Sequence, residues 1–129
     1  MAANGRCDRL RTRVSIRTVA PASTVRIETR VRNLSQRPFA ATATYGRRHV
    51  RLGAQLAKAD GVILDRDWAR AFLPHPVAGG GKADVAIEVP MPKEPGRYAL
   101  RFDLVSEGID WFETCGSEPT VRELVVGAS

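Results

Sequence analysis

Apolar residues recur at every second position along much of the chain, and the pattern is clearest after Pro95-Gly96. There Tyr98, Leu100, Phe102 and Leu104 alternate with Ala99, Arg101 and Asp103. Period two is the mark of a strand with one buried face. Four large apolar groups on that face require an opposing apolar layer, and the alternation leaves the other face wet, so a second sheet is the natural partner. The same pattern runs through Val14, Ile16 and Thr18 between Arg13, Ser15 and Arg17, and through Val25, Ile27, Thr29 and Val31 between Arg26, Glu28, Arg30 and Arg32. It returns in Val50, Leu52, Ala54 and Leu56, in Val62-Ile63-Leu64 with Trp68, Arg70 and Phe72, in residues 83 to 89, and in a closing strand through Val121, Leu124, Val125 and Val126.

Turn signals separate these segments. Ala20-Pro21-Ala22-Ser23 stops the first, Asn33 to Pro38 the second, and Asp60-Gly61 is a hairpin signal after residues 50 to 57. His75-Pro76-Val77-Ala78-Gly79-Gly80-Gly81-Lys82 cannot continue a central strand. No segment keeps a helical period. About seven to eight strands spaced by turns predict an all-β fold, an immunoglobulin-like antiparallel β-sandwich. Residues 10–127 form its single domain, after a flexible polar tail over 1–9. Tyr98, at the start of a late strand, suits a tyrosine corner, in which the ring packs and the hydroxyl bonds nearby backbone.

The chain's 129 residues can bury a substantial core without staples. Cys7 and Cys115 therefore read as free thiols. The opening residues lack the apolar core of a signal peptide, and no run of apolar residues is long enough to span a bilayer, which predicts a soluble, cytoplasmic protein. The formal charge is +6, and of 20 basic residues only Lys58, Lys82 and Lys93 are lysine, leaving 17 arginines. That excess favours acidic partners without choosing among them, and it also solvates the outer face of a sheet. If residues 13–18 and 25–31 form a hairpin, Arg13, Arg17, Arg26 and Arg30 share one outer face with Glu28 as its only acid.

Little here points to catalysis. The three glycines before Lys82 resemble a phosphate cradle, but a strand pattern follows where a helix would be needed. His49 and His75 lie in no nucleophile motif, and neither they nor the distant cysteines make a ligand cluster, so neither metal nor other cofactor is expected. Glu107, Asp110 and Glu113 beside Trp111 have a spacing compatible with paired glycosidase carboxylates, as almost any acidic loop would. The same stretch, Glu107, Asp110, Trp111, Phe112 and Glu113, is the candidate ligand site. Aromatic faces meet sugar C–H groups while carboxylates accept hydroxyl hydrogen bonds. Against this stands the plainer role of Trp111 or Phe112 in sealing one end of the core.

Several segments carry a family resemblance: Val31-Arg32-Asn33, His49-Val50-Arg51-Leu52-Gly53 before Asp60-Gly61, Leu73-Pro74, and above all Glu94-Pro95-Gly96-Arg97-Tyr98 through Ser106-Glu107-Gly108 and Trp111-Phe112. Over residues 13 to 126 the chain resembles bacterial immunoglobulin-like accessory modules, and residues 94 to 116 are its distinctive part. Such modules accompany glycosyltransferases and other polysaccharide-assembly proteins, and the sugar-recognising domains of polysaccharide ABC exporters are similar in architecture. The tryptophan-rich interaction domain of autophagy receptors has a similar Pro-Gly-x-Tyr strand, but this chain has only Trp68 and Trp111. The resemblance implies a non-catalytic recognition or scaffolding module whose partner is a glycan or polysaccharide intermediate. A protein-interaction or self-association module and an electrostatic nucleic-acid binder are the competing classes.

Overall fold

The computed structural model describes residues 8–12, 18–41, 49–106, 110–111 and 120–127. Among these residues the alternating segments become nine strands: β1 (Asp8–Thr12), β2 (Thr18–Val19), β3 (Thr24–Asn33), β4 (Val50–Lys58), β5 (Ile63–Phe72), β6 (Lys82–Pro90), β7 (Gly96–Ser106), β8 (Asp110–Trp111) and β9 (Thr120–Val126). They build a three-stranded sheet, β1-β3-β6, and a six-stranded sheet, β2-β9-β7-β4-β5, with β8 also on β7. Every pairing is antiparallel except β2 with β9. The chain is an all-β two-sheet sandwich, as the alternation predicts.

The core follows from the period. Ile27 and Val31 of β3 and Ala83, Val85, Ile87 and Val89 of β6 are buried on one layer. Leu52, Ala54 and Leu56 of β4 pair in register with Leu104, Phe102 and Leu100 of β7 on the other, joined by Leu124 and Val126 of β9. Trp68 of β5 packs against this cluster, and its Nε1 donates to the Pro90 carbonyl of β6 at 2.7 Å, tying the two sheets along one edge.

Tyr98 is the tyrosine corner expected of it. Its half-buried ring packs on the core and its hydroxyl donates to the Glu94 carbonyl, four residues back, at 2.8 Å. Tyr98→Phe should cost about 1 kcal/mol in urea melts, the typical net worth of one such bond. A loss indistinguishable from zero would mean that the hydroxyl does not fasten the turn before β7.

Three expectations need correction. The tail does not extend to residue 9, since β1 begins at Asp8 and runs antiparallel to the end of β3. The hairpin between residues 13–18 and 25–31 does not form, because β1 and β6 occupy the two edges of β3 and Thr18 pairs instead with Val125 of the opposite sheet. The chain changes sheets between Thr12 and Thr18, so one alternating run serves two layers. The outer side of β7 is not wet either. Ala99, Asp103 and Val105 are buried there, as are Gln55 and Ala57 of β4, because both strands lie inside the sheet with neighbours along each edge.

The loops between β3 and β4 and between β5 and β6 are fastened by Asn33, which is 0 % exposed. Its Nδ2 donates to the carbonyls of Arg37 at 2.7 Å and Val77 at 3.0 Å, and its Oδ1 accepts from the Ser35 N–H at 2.9 Å and the Ser35 hydroxyl at 2.7 Å. Its backbone closes the ring, with Asn33 N donating to Gly81 O and Gly80 N donating to Asn33 O. Phe39 and Val77 exchange backbone bonds beside it. Gly79 allows the approach, since a Cβ there would sit 2.8 Å from backbone atoms of Ser35 and Gln36. The three glycines thus serve backbone packing, and Lys82 opens a strand.

Candidate functional site

The outer face of the three-stranded sheet holds two of the four arginines expected to form a basic surface. Arg26 and Arg30 both point outward from β3, while Arg13 and Arg17 lie outside the described residues. Glu28 is not the only acid on this face. The register sets Arg26 opposite Glu88 and Arg30 opposite Asp84, and Arg30 Nε donates to Asp84 Oδ1 at 2.9 Å. That hydrogen bond, and then the carboxylate's charge, raise the Arg30 pKa above its ordinary value. A depression of about 260 Å3 opens here, lined by Arg26, Glu28, Thr29, Asp84 and Ala86. Its walls carry both signs of charge, which weakens it as a site for a polyanion.

The six-stranded sheet differs. Phe72, the last residue of β5, is 60 % exposed, which is unusual for so large an apolar group. The Arg51 guanidinium lies 4.2 Å from the centre of its ring, within cation–π range. The His49 ring stacks on Phe72 with centroids 6.1 Å apart and planes inclined by 22°. Arg51 Nε donates to His49 Nε2 at 2.9 Å, which fixes how the guanidinium lies against the two rings. The cluster arises because Arg51 and Phe72 are direct partners in the β4–β5 ladder, and paired residues share a face.

The register extends this row. Arg51 pairs with Val105 of β7, and Val105 pairs with Trp111 of β8, so Phe72, Arg51, Val105 and Trp111 form one line across four strands. Asp110 is the partner of Ser106. Glu107, Phe112 and Glu113 lie outside the described residues, as do Cys7 and Cys115. Of the expected aromatic and acidic site, the structure therefore places two positions, and it adds His49, Arg51 and Phe72, which sequence reasoning had assigned only to strands. The signal that could have found them is Phe72 itself. The inward positions beside it are filled by Ala69 and Ala71, which pair with Ala54 and Leu52. His75 stands apart, its Nδ1 2.9 Å from the Pro76 carbonyl. No group of three or more His, Cys, Asp or Glu suited to a metal ion occurs among the described residues. No helix among them is long and apolar enough to cross a membrane.

Fold and surface together define a small two-sheet β-sandwich domain bearing an exposed cation–aromatic cluster. No family model matches the chain, and no curated protein matches it. Solved structures do match in fold. Pseudomonas fluorescens alkylpurine DNA glycosylase AlkC, bound to DNA containing an abasic site analog, aligns over 96 % of this chain at TM-score 0.59 and 10 % identity. The β-glucosidase of Listeria innocua, in a mutant complex with laminaribiose, aligns over 94 % at TM-score 0.60 and 13 % identity. The CARDB domain of the PF1109 protein from Pyrococcus furiosus, in complex with di-metal ions, aligns over 93 % at TM-score 0.54 and 9 % identity. The chain spans 31 % of the DNA glycosylase and 16 % of the β-glucosidase, but 85 % of the CARDB chain. At these identities the likeness concerns the fold alone.

Proposed function

We propose that this chain is a non-catalytic, immunoglobulin-like recognition module that binds a glycan and serves bacterial polysaccharide assembly or export. The observation that carries the reading is the exposed Phe72 ring beside Arg51 and His49, a flat apolar platform with polar groups at its rim. Sugar rings present C–H faces to such platforms and hydroxyls to their rims. The fold comparison supports a modular role, because this sandwich recurs as a minor part of larger chains, one of them a β-glucosidase seen with laminaribiose.

The test is calorimetric titration with a panel of neutral and acidic oligosaccharides at low and moderate salt. Binding of at least one saccharide class, weakened tenfold or more by Phe72→Ala, is the expected result. No heat from any saccharide up to the millimolar range would remove the reading.

A second reading has its own support: a charge of +6 and a fold match to a DNA glycosylase seen with DNA. Nucleic acid held by arginines should bind with an affinity that falls steeply as salt rises, since each neutralised phosphate releases counterions. Short duplex DNA titrated beside the saccharides separates the two. Tight, salt-sensitive DNA binding without a saccharide response would favour the electrostatic module. Silence toward both would favour a protein partner, and light scattering would show whether that partner is a second copy of this chain.

A further inference from the structure

We propose that the His49–Arg51–Phe72 cluster selects a carboxylate-bearing sugar over a neutral one. The proposal rests on the glycan reading above and specifies its ligand. The aromatic platform on this face carries a guanidinium, at 4.2 Å from the Phe72 ring centre. A guanidinium presents five N–H donors in a planar fork, and Arg51 directs one of them, Nε, to His49. The planar fork matches the two oxygens of a carboxylate in a way that neither a hydroxyl nor a point-charge lysine reproduces. A uronate offers both features at once, C–H groups for Phe72 and a carboxylate for Arg51.

The charge around the cluster agrees. The ladder register puts Arg51, Arg70, Arg97 and Arg101 on the outer side of the six-stranded sheet. The acids paired into the same face are Asp103, which is 1 % exposed, and Glu123, two strand pairings away on β9. The three-stranded sheet, by contrast, sets Glu28, Asp84 and Glu88 among its arginines. Among the described residues, then, the unbalanced positive charge belongs to the face that carries the exposed aromatic ring. The line from Phe72 to Trp111 crosses three strand spacings, roughly 14 Å, enough for a few sugar units rather than one.

The experiment compares oligogalacturonate with its methyl ester, which keeps the rings and hydroxyls and removes the charge. Wild-type protein should bind the acid at least tenfold more tightly than the ester, the factor expected of one charge-assisted hydrogen bond. Arg51→Gln should lower acid binding to the level of the ester, and Arg51→Lys should restore only part of the preference, because it keeps the charge and loses the fork. Phe72→Ala should weaken acid and ester by the same factor. Thermal melts of each variant establish that it is folded; if Arg51→Gln unfolds, Arg51→Lys carries the comparison.

Equal affinity for acid and ester, or a preference untouched in both Arg51 variants, overturns the proposal while leaving the glycan module standing. Binding of a neutral glucan with no response to oligogalacturonate does the same. Failure of every saccharide overturns both.

Discussion

Asn33→Ala is expected to lower stability by about 3 to 5 kcal/mol. The substitution removes four side-chain hydrogen bonds from a residue that is 0 % exposed. It leaves the Val77 and Arg37 carbonyls and the Ser35 N–H without their partner, and each buried polar group so stranded costs about 1 to 3 kcal/mol. Water can recover part of this at Arg37, which is exposed. Asn33→Asp is the sharper comparison. It keeps both acceptor positions but sets a carboxylate oxygen against the two carbonyls that now receive Nδ2. It should therefore be as damaging as alanine at neutral pH, although it is nearly the same shape. Urea melts of the two variants decide the matter, and a loss below about 1 kcal/mol for Asn33→Ala would mean that the loops hold without this clamp. The same geometry bears on the Asn33-Leu34-Ser35 triplet, which has the form of a glycosylation acceptor. Its Nδ2 is committed inside the folded domain, so modification there is incompatible with this structure.

Phe102→Ala should cost about 3 to 5 kcal/mol, the range for a large aromatic removed from a close-packed interior. Phe102 is 0 % exposed and sits in the middle of β7, paired with Ala54 of β4 and Thr120 of β9. Its neighbour in register is an alanine, so the ring alone fills that part of the layer and a cavity remains when it is cut back. Phe102→Leu, which keeps most of the apolar volume, should lose less than half as much. A domain of this size has only about 5 to 15 kcal/mol to lose. Either alanine variant should therefore bring the urea midpoint down sharply, and an unchanged midpoint for Phe102→Ala would displace β7 from the centre of the core.

The candidate site was legible only in part. Trp111 drew notice as an aromatic among carboxylates, and the register does set it on the row that begins at Phe72. Phe72 and Arg51 drew none, because in a linear reading one is an apolar strand residue and the other a charge on a wet face. What joins them is a ladder partnership between β4 and β5, and β5 also shifts register against Ala54, Leu56 and Ala57. Alternation cannot foresee such a shift. A strand that slips by one residue turns every side chain to the other face.

The sequence by itself determined the period-two segments, the Asp60-Gly61 hairpin, the Tyr98 corner and the inward set on β4 and β7. Each depends on neighbours a few residues apart, where the two-residue strand repeat and turn chemistry act directly. Only the tertiary structure decided which segments pair: that β3 lies between β1 and β6, that Thr18 and Val19 join the opposite sheet, and that Asp84 meets Arg30. It alone set the Arg51 guanidinium over Phe72. Strand partners lie tens of residues apart and are selected by the packing of two whole layers, so the charge of a face, unlike the apolar character of a strand, is written in no single stretch of chain.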